Sequence, residues 1–84
     1  MEVHTYKGRK LTQAVDVCEA VSGLGFRNRG IKDGSGLYVV RNTKAPAMLV
    51  ELFFLDNPTD RGLYSAIGCK RLARVIAEAV AGDL

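Results

Sequence analysis

Apolar and polar positions follow three patterns along this chain, and each predicts an element. Met1–Tyr6 alternates: Val3 and Thr5 face one side and Glu2, His4 and Tyr6 the other, which predicts a short strand. Lys7–Lys10 is a basic turn. From Leu11 the period changes. Leu11, Ala14, Val15, Cys18 and Val21 fall on one helical face, with Gln13, Asp16 and Glu19 off it, and Gly23 and Gly25 end the helix. Phe26–Gly36, with R-N-R-G and K-D-G-S-G, carries turn chemistry and reads as a connection. Leu37–Arg41 is β-branched and aromatic and predicts a second strand. Asn57 is placed to cap a helix with Pro58 at its first position and Asp60 in its first turn; Gly62 and Gly68 keep that helix short. A last helix runs from about Cys69 to Ala81, with Cys69, Leu72, Ala73, Ile76 and Val80 as its apolar stripe and Gly82 as its stop.

The third pattern is a continuous run. Ala47–Leu55, A-M-L-V-E-L-F-F-L, is apolar at eight of nine positions and is bounded by Pro46 and by Asp56-Asn57-Pro58. Such a run predicts a central strand buried on both faces, as in a parallel sheet covered by helices. Its single carboxylate, Glu51, is costly there unless it is paired, protonated or near a cation. A neighbouring base such as Arg41 or Lys44 would satisfy it. Glu51 also lies in the later half of the run, near the rim where open α/β sheets bind ligands.

The order is therefore strand, helix, strand, strand, helix, helix, an α/β arrangement in which each long amphipathic helix covers sheet. Three strands are few for a central strand that is apolar throughout, so sheet neighbours are expected from outside this chain. Its 84 residues allow one domain, residues 1–84, with a marginal core. Hydrophobic content of 48% and charged content of 25% are those of an ordinary globular chain, and a net charge of +3 only mildly favours anionic surfaces. Residues 1–20 lack the basic, apolar, small pattern of a signal peptide, so synthesis in a cytoplasm is expected. No apolar run approaches the roughly 20 residues of a membrane helix, so no membrane is expected as partner. Cys18 and Cys69 read as small packing residues on helical faces rather than as a disulfide.

A catalytic zinc usually takes three protein ligands, and this chain has one His. Glu2 and His4 share a strand face that Glu51 could join, but the simpler reading is an imidazole covering the sheet. Arg27, Arg29 and Lys32 form a basic cluster that reads as a solvated loop. Tyr6, Tyr38 and Tyr64 are too scattered for base stacking and no nucleic-acid motif is present, so no nucleic-acid partner is expected. G-L-G-F-R-N-R-G lacks the Gly-Lys-Ser/Thr end of a phosphate loop and follows a helix, not a strand.

Four segments carry a resemblance: M-E-V-H-T-Y at the start, N-R-G-I-K at Asn28–Lys32, L-Y-V-V-R-N-T-K-A-P-A-M-L-V-E-L-F-F-L-D-N-P-T-D from Leu37 to Asp60, and L-A-R-V-I-A-E-A-V from Leu72 to Val80. In this order and spacing they resemble the C-terminal half of the zinc-dependent N-acetylmuramoyl-L-alanine amidases, above all those of phage endolysins and bacterial autolysins. Phe53 departs from the family's E-x-G-F pattern, where many members have Gly. The resemblance implies peptidoglycan as substrate, cleavage between N-acetylmuramic acid and L-alanine, and Glu51 as the catalytic carboxylate. It implies zinc held by His, Glu and His from the domain's first half, so that this chain alone carries no metal ligand and is inactive. His4 matches a position usually held by an aromatic residue. Implied partners are the first half of the domain or the full-length enzyme, and the implied site of action is the cell wall; self-association is expected separately, from the apolar Ala47–Leu55 strand in a chain with too few strands to shield it. The alternative is a non-catalytic wall-binding, regulatory or structural subunit made from an internal start at Met1.

Overall fold

The structure is a computed structural model and describes residues 1–52 and 57–82. Strand β1 spans Glu2–Thr5, followed by a 3-10 turn at Tyr6–Gly8 and helix α1 at Thr12–Ser22. Strand β2 is Ile31–Asp33, α2 is a single turn at Tyr38–Arg41, and β3 is Met48–Glu51. Helices α3, Pro58–Ile67, and α4, Cys69–Ala81, complete the chain. The sheet order is β2-β1-β3, with β1 parallel to β2 and antiparallel to β3. β1, α1 and β2 thus form a βαβ unit, the crossover helix that parallel neighbours require.

The alternation expected of β1 is present. Val3 and Thr5 are fully buried while Glu2 and His4 are half-buried. Val3 joins Met1, Phe26, Leu72 and the α1 residues Ala14, Val17, Cys18 and Val21 in one core cluster. Ile31, Met48 and Val50 pack against it from the strands and Ile76, Ala79 and Val80 from α4. α1 and α4 meet directly along this cluster. The cap of α3 is as the sequence predicts: the Asn57 side-chain oxygen accepts from the Asp60 N–H at 3.1 Å, with Pro58 at the first helical position. No helix among the described residues is long and apolar enough to cross a membrane.

Three expectations are corrected. Leu37–Arg41 is not a strand: Tyr38 and Val39 are 73% and 58% exposed, and the segment closes one helical turn through Arg41 N–H to Leu37 O at 2.9 Å. The second strand is the polar triplet Ile31–Asp33, which is a strand because β1 supplies its partners. Among the described residues of this chain, the Ala47–Leu55 run is not the central strand. Its described part, β3, is an edge strand pairing antiparallel to β1, with all four residues half-buried. Apolar content reports burial, and burial does not fix a strand's place in the sheet. Residues 53–56, and with them the end of the predicted run and Phe53, lie outside the described residues.

The two cysteines differ. Cys18 is buried in the core, and burial pushes its thiol above the ordinary value; Cys69 is exposed, off the stripe predicted for α4, and so is Ala73. Reaction needs thiolate and access. A thiol reagent should therefore label one cysteine in the folded chain, at position 69, and both in denaturant; equal rates for the two in native buffer would show that Cys18 is not held in the core.

Candidate active site

The site starts from strand register. β1 and β3 place Glu2 directly opposite Glu51, and His4 opposite Leu49. Side chains two apart on a strand share a face, so Glu2, His4 and Glu51 all project from the face opposite Val3. The imidazole lies between the carboxylates. His4 Nε2 is 3.2 Å from Glu2 Oε1 and 3.5 Å from Glu51 Oε2. The side chains of Glu2 and His4 are 14% and 17% exposed, whereas Glu51, on the edge strand, is 43% exposed and is the group a ligand reaches.

The electrostatics follow from this layout. Like charges directly across a strand pair repel. A cation between the carboxylates removes that cost, whether it is a protonated imidazole or a metal ion. Nε2 is itself buried and has no hydrogen-bond partner among the described residues.

His4 is also held from behind. Gly34 donates its N–H to Thr5 O at 2.7 Å, and a β-carbon built on Gly34 would stand 3.0 Å from His4 Cβ. Any larger residue here would make His4 or its backbone give way by a few tenths of an ångström. The turn that presents it is fixed by Asp33, whose carboxylate accepts from the Ser35 hydroxyl at 2.6 Å and the Ser35 N–H at 2.9 Å. Those bonds, the hydroxyl's first, hold the Asp33 carboxyl below its usual range. Gly34 was not legible as a site residue; K-D-G-S-G gives a turn signal without the strand it packs on.

The sequence grouping of Glu2, His4 and Glu51 on one face is thus brought together in space. The pairing of Glu51 with Arg41 or Lys44 is not. Arg41 and Lys44 line a cleft with Tyr6, Arg9 and Ala47 at the opposite end of the β1–β3 pair, where Thr5 faces Met48. Of the basic loop, Arg27 and Arg29 precede β2, and Lys32 lies in β2 beside His4. The Arg29 backbone N–H donates to Met1 O at 2.8 Å.

A three-stranded mixed sheet packed on two long helices, with a carboxylate–imidazole cluster at its edge, defines an α/β domain with a polar site on a sheet face. The chain belongs to the N-acetylmuramoyl-L-alanine amidase family, whose model matches residues 1–82. In structure it is similar to the catalytic domain of the CD27L endolysin, which targets Clostridia difficile: TM-score 0.85 at 33% identity, covering 96% of this chain and 44% of that one. Two uncharacterised proteins of Clostridium perfringens are also similar. One is 41% identical over 58 residues, 69% of this chain, and the other, of 38.4 kDa, is 28% identical over 74 residues, 87% of this chain. The chain spans 17% and 22% of the lengths of these two relatives.

Proposed function

We propose that this chain is the C-terminal half of a zinc amidase catalytic domain that cleaves the bond between N-acetylmuramic acid and L-alanine in peptidoglycan, at the cell wall. The observation that carries the proposal is the position of Glu51. It is the most exposed member of a polar cluster on the sheet face, and the resemblance to the family implies that it is the catalytic carboxylate.

The family's three zinc ligands have no counterpart set here, since the chain holds one His. The resemblance assigns zinc to the first half of the domain, where it would polarise the scissile carbonyl and lower the pKa of water. The chain's own residues do the rest. Glu51 accepts the proton of the attacking water as the new C–O bond forms. When the C–N bond breaks, that proton passes to the departing amine of L-alanine. Glu2 and His4 limit the positions open to the Glu51 carboxylate, and His4 is limited in turn by Gly34. Holding a base in one geometry removes entropy from the reacting step.

The test is digestion of purified peptidoglycan by the chain fused to the complementary first part of the endolysin catalytic domain. Mass spectrometry should show stem peptides with a free L-alanine amine. Release of any other bond, or none from a folded, zinc-loaded fusion, counts against the reading.

The same reading predicts that the isolated chain self-associates. β3 is an edge strand whose outer side has no partner among the described residues. An open edge pairs with what is available, including a second copy. Light scattering over a range of concentrations should show mass rising with concentration, and a constant monomer mass would show that the sheet needs no neighbour.

A further inference from the structure

We propose that Glu2, His4 and Glu51 form a site for one divalent transition-metal ion, held by this chain alone. The expectation of no metal here rests on the single histidine, and the proposal opposes it with geometry. The three side chains each offer one ligand atom, and these atoms lie within 4.8 Å of one another. Zinc takes nitrogen and oxygen ligands at about 2.0–2.2 Å, which at tetrahedral angles sets ligand atoms about 3.4 Å apart. The two contacts of His4 Nε2, at 3.2 and 3.5 Å, straddle that spacing. The remaining carboxylate pair would close by a small rotation of Glu51, which is 43% exposed.

A second observation separates this from a charged pair bridged by imidazolium. An imidazolium holds carboxylates by directed N–H bonds, and Nε2 makes none among the described residues although both oxygens are near it. Oxygens that flank a nitrogen at contact distance, off its hydrogen-bond direction, are where co-ligands of one metal stand. The charges point the same way: two carboxylates face each other across β1 and β3, and a divalent ion would neutralise both. One imidazole with two carboxylates suits zinc, cobalt, nickel or manganese better than the all-oxygen preference of magnesium or calcium. Gly34 packs against the Cβ and backbone of His4.

The site concerns the chain by itself and does not rest on the amidase reading. It uses Glu51 as a ligand, whereas the proposed catalysis uses it as a base with zinc held elsewhere. Metal binding by the chain and cleavage by the fusion are separate measurements, so either proposal can fail alone.

The test is calorimetric titration of the full chain with zinc and with cobalt, in a Cys69→Ser background that removes the exposed thiol. One ion per chain is expected, with visible cobalt bands and no thiolate charge-transfer band. Glu2→Gln and His4→Ala should each weaken binding by more than the roughly 100-fold that loss of a mere outer partner costs, with the circular dichroism unchanged. If His4→Ala fails to fold, Glu2→Gln decides, because it keeps the side chain's shape. No binding at millimolar metal, or undiminished binding by Glu2→Gln, overturns the proposal.

Discussion

Phe26→Ala should leave the isolated chain largely unfolded. Phe26 is 2% exposed and is the largest fully buried side chain described, sitting among Met1, Val3, the inner face of α1 and Leu72. It follows Gly25, which has φ of 114° and carries the chain off the end of α1 with the Leu63 side chain close by. Truncating a buried Phe to Ala typically costs about 3–5 kcal/mol, from lost burial plus the cavity left behind. A chain of this size has about 4–13 kcal/mol to lose, at roughly 0.05–0.15 kcal/mol per residue. Urea unfolding should show a midpoint moved far down, or no folded baseline at all. Val39→Ala, at a position 58% exposed, should move it by no more than about 0.5 kcal/mol. A Phe26 variant that behaves like the Val39 variant would mean that the loop after α1 is not part of the core.

Phe26 also shows what the sequence conceals. It stands in a stretch of turn residues with no period, and a lone aromatic there gives no sign of which way it points. The helices were legible because their apolar positions recur: Ala14, Cys18 and Val21 of the expected stripe are buried in α1, and Leu72, Ile76 and Val80 of α4 meet the core. Within α1 the stripe is rotated, with Val17 buried and Val15 only half-buried, because α4 packs beside it. β2 was not legible, since Ile31-Lys32-Asp33 has no strand pattern and its ladder bonds come from β1, far away in sequence. Propensity misled at Tyr38–Arg41, where Tyr38 and Val39 face solvent, Val40 is buried, and no strand among the described residues pairs with the segment. The candidate site was legible in half. Alternation puts Glu2 and His4 on one face, but the meeting with Glu51 depends on antiparallel register. A slip of one residue would turn Glu51 toward the core.

In a fusion with the first half of the domain, Glu51→Gln should abolish most amidase turnover while the zinc assigned to the first half is retained and thermal stability holds. Glu51 is the one carboxylate in the Ala47–Leu55 run, and the resemblance to the family implies that it is the catalytic one. A carboxylate accepts the proton of the attacking water; an amide of the same shape does not. Loss of a general base costs on the order of 10²–10⁴ in rate. Stability should hold because the substitution keeps volume and removes a negative charge that faces Glu2 across the strands. Relief of such a pair is worth roughly 0.2–1 kcal/mol, so in the metal-free isolated chain the variant should be slightly more stable than the parent. His4→Ala in the fusion separates positioning from chemistry. If the imidazole only holds Glu51, turnover falls less than with Glu51→Gln, and His4→Asn, which keeps a short polar side chain beside the carboxylates, recovers part of it. The decisive measurement is muramoyl–alanine cleavage by the fusion and its Gln variant, with zinc quantified in both. Near-normal activity in the variant would make Glu51 structural. Loss of the first half's zinc together with activity would make it a ligand of the catalytic metal, and the proton would then have to go to another group.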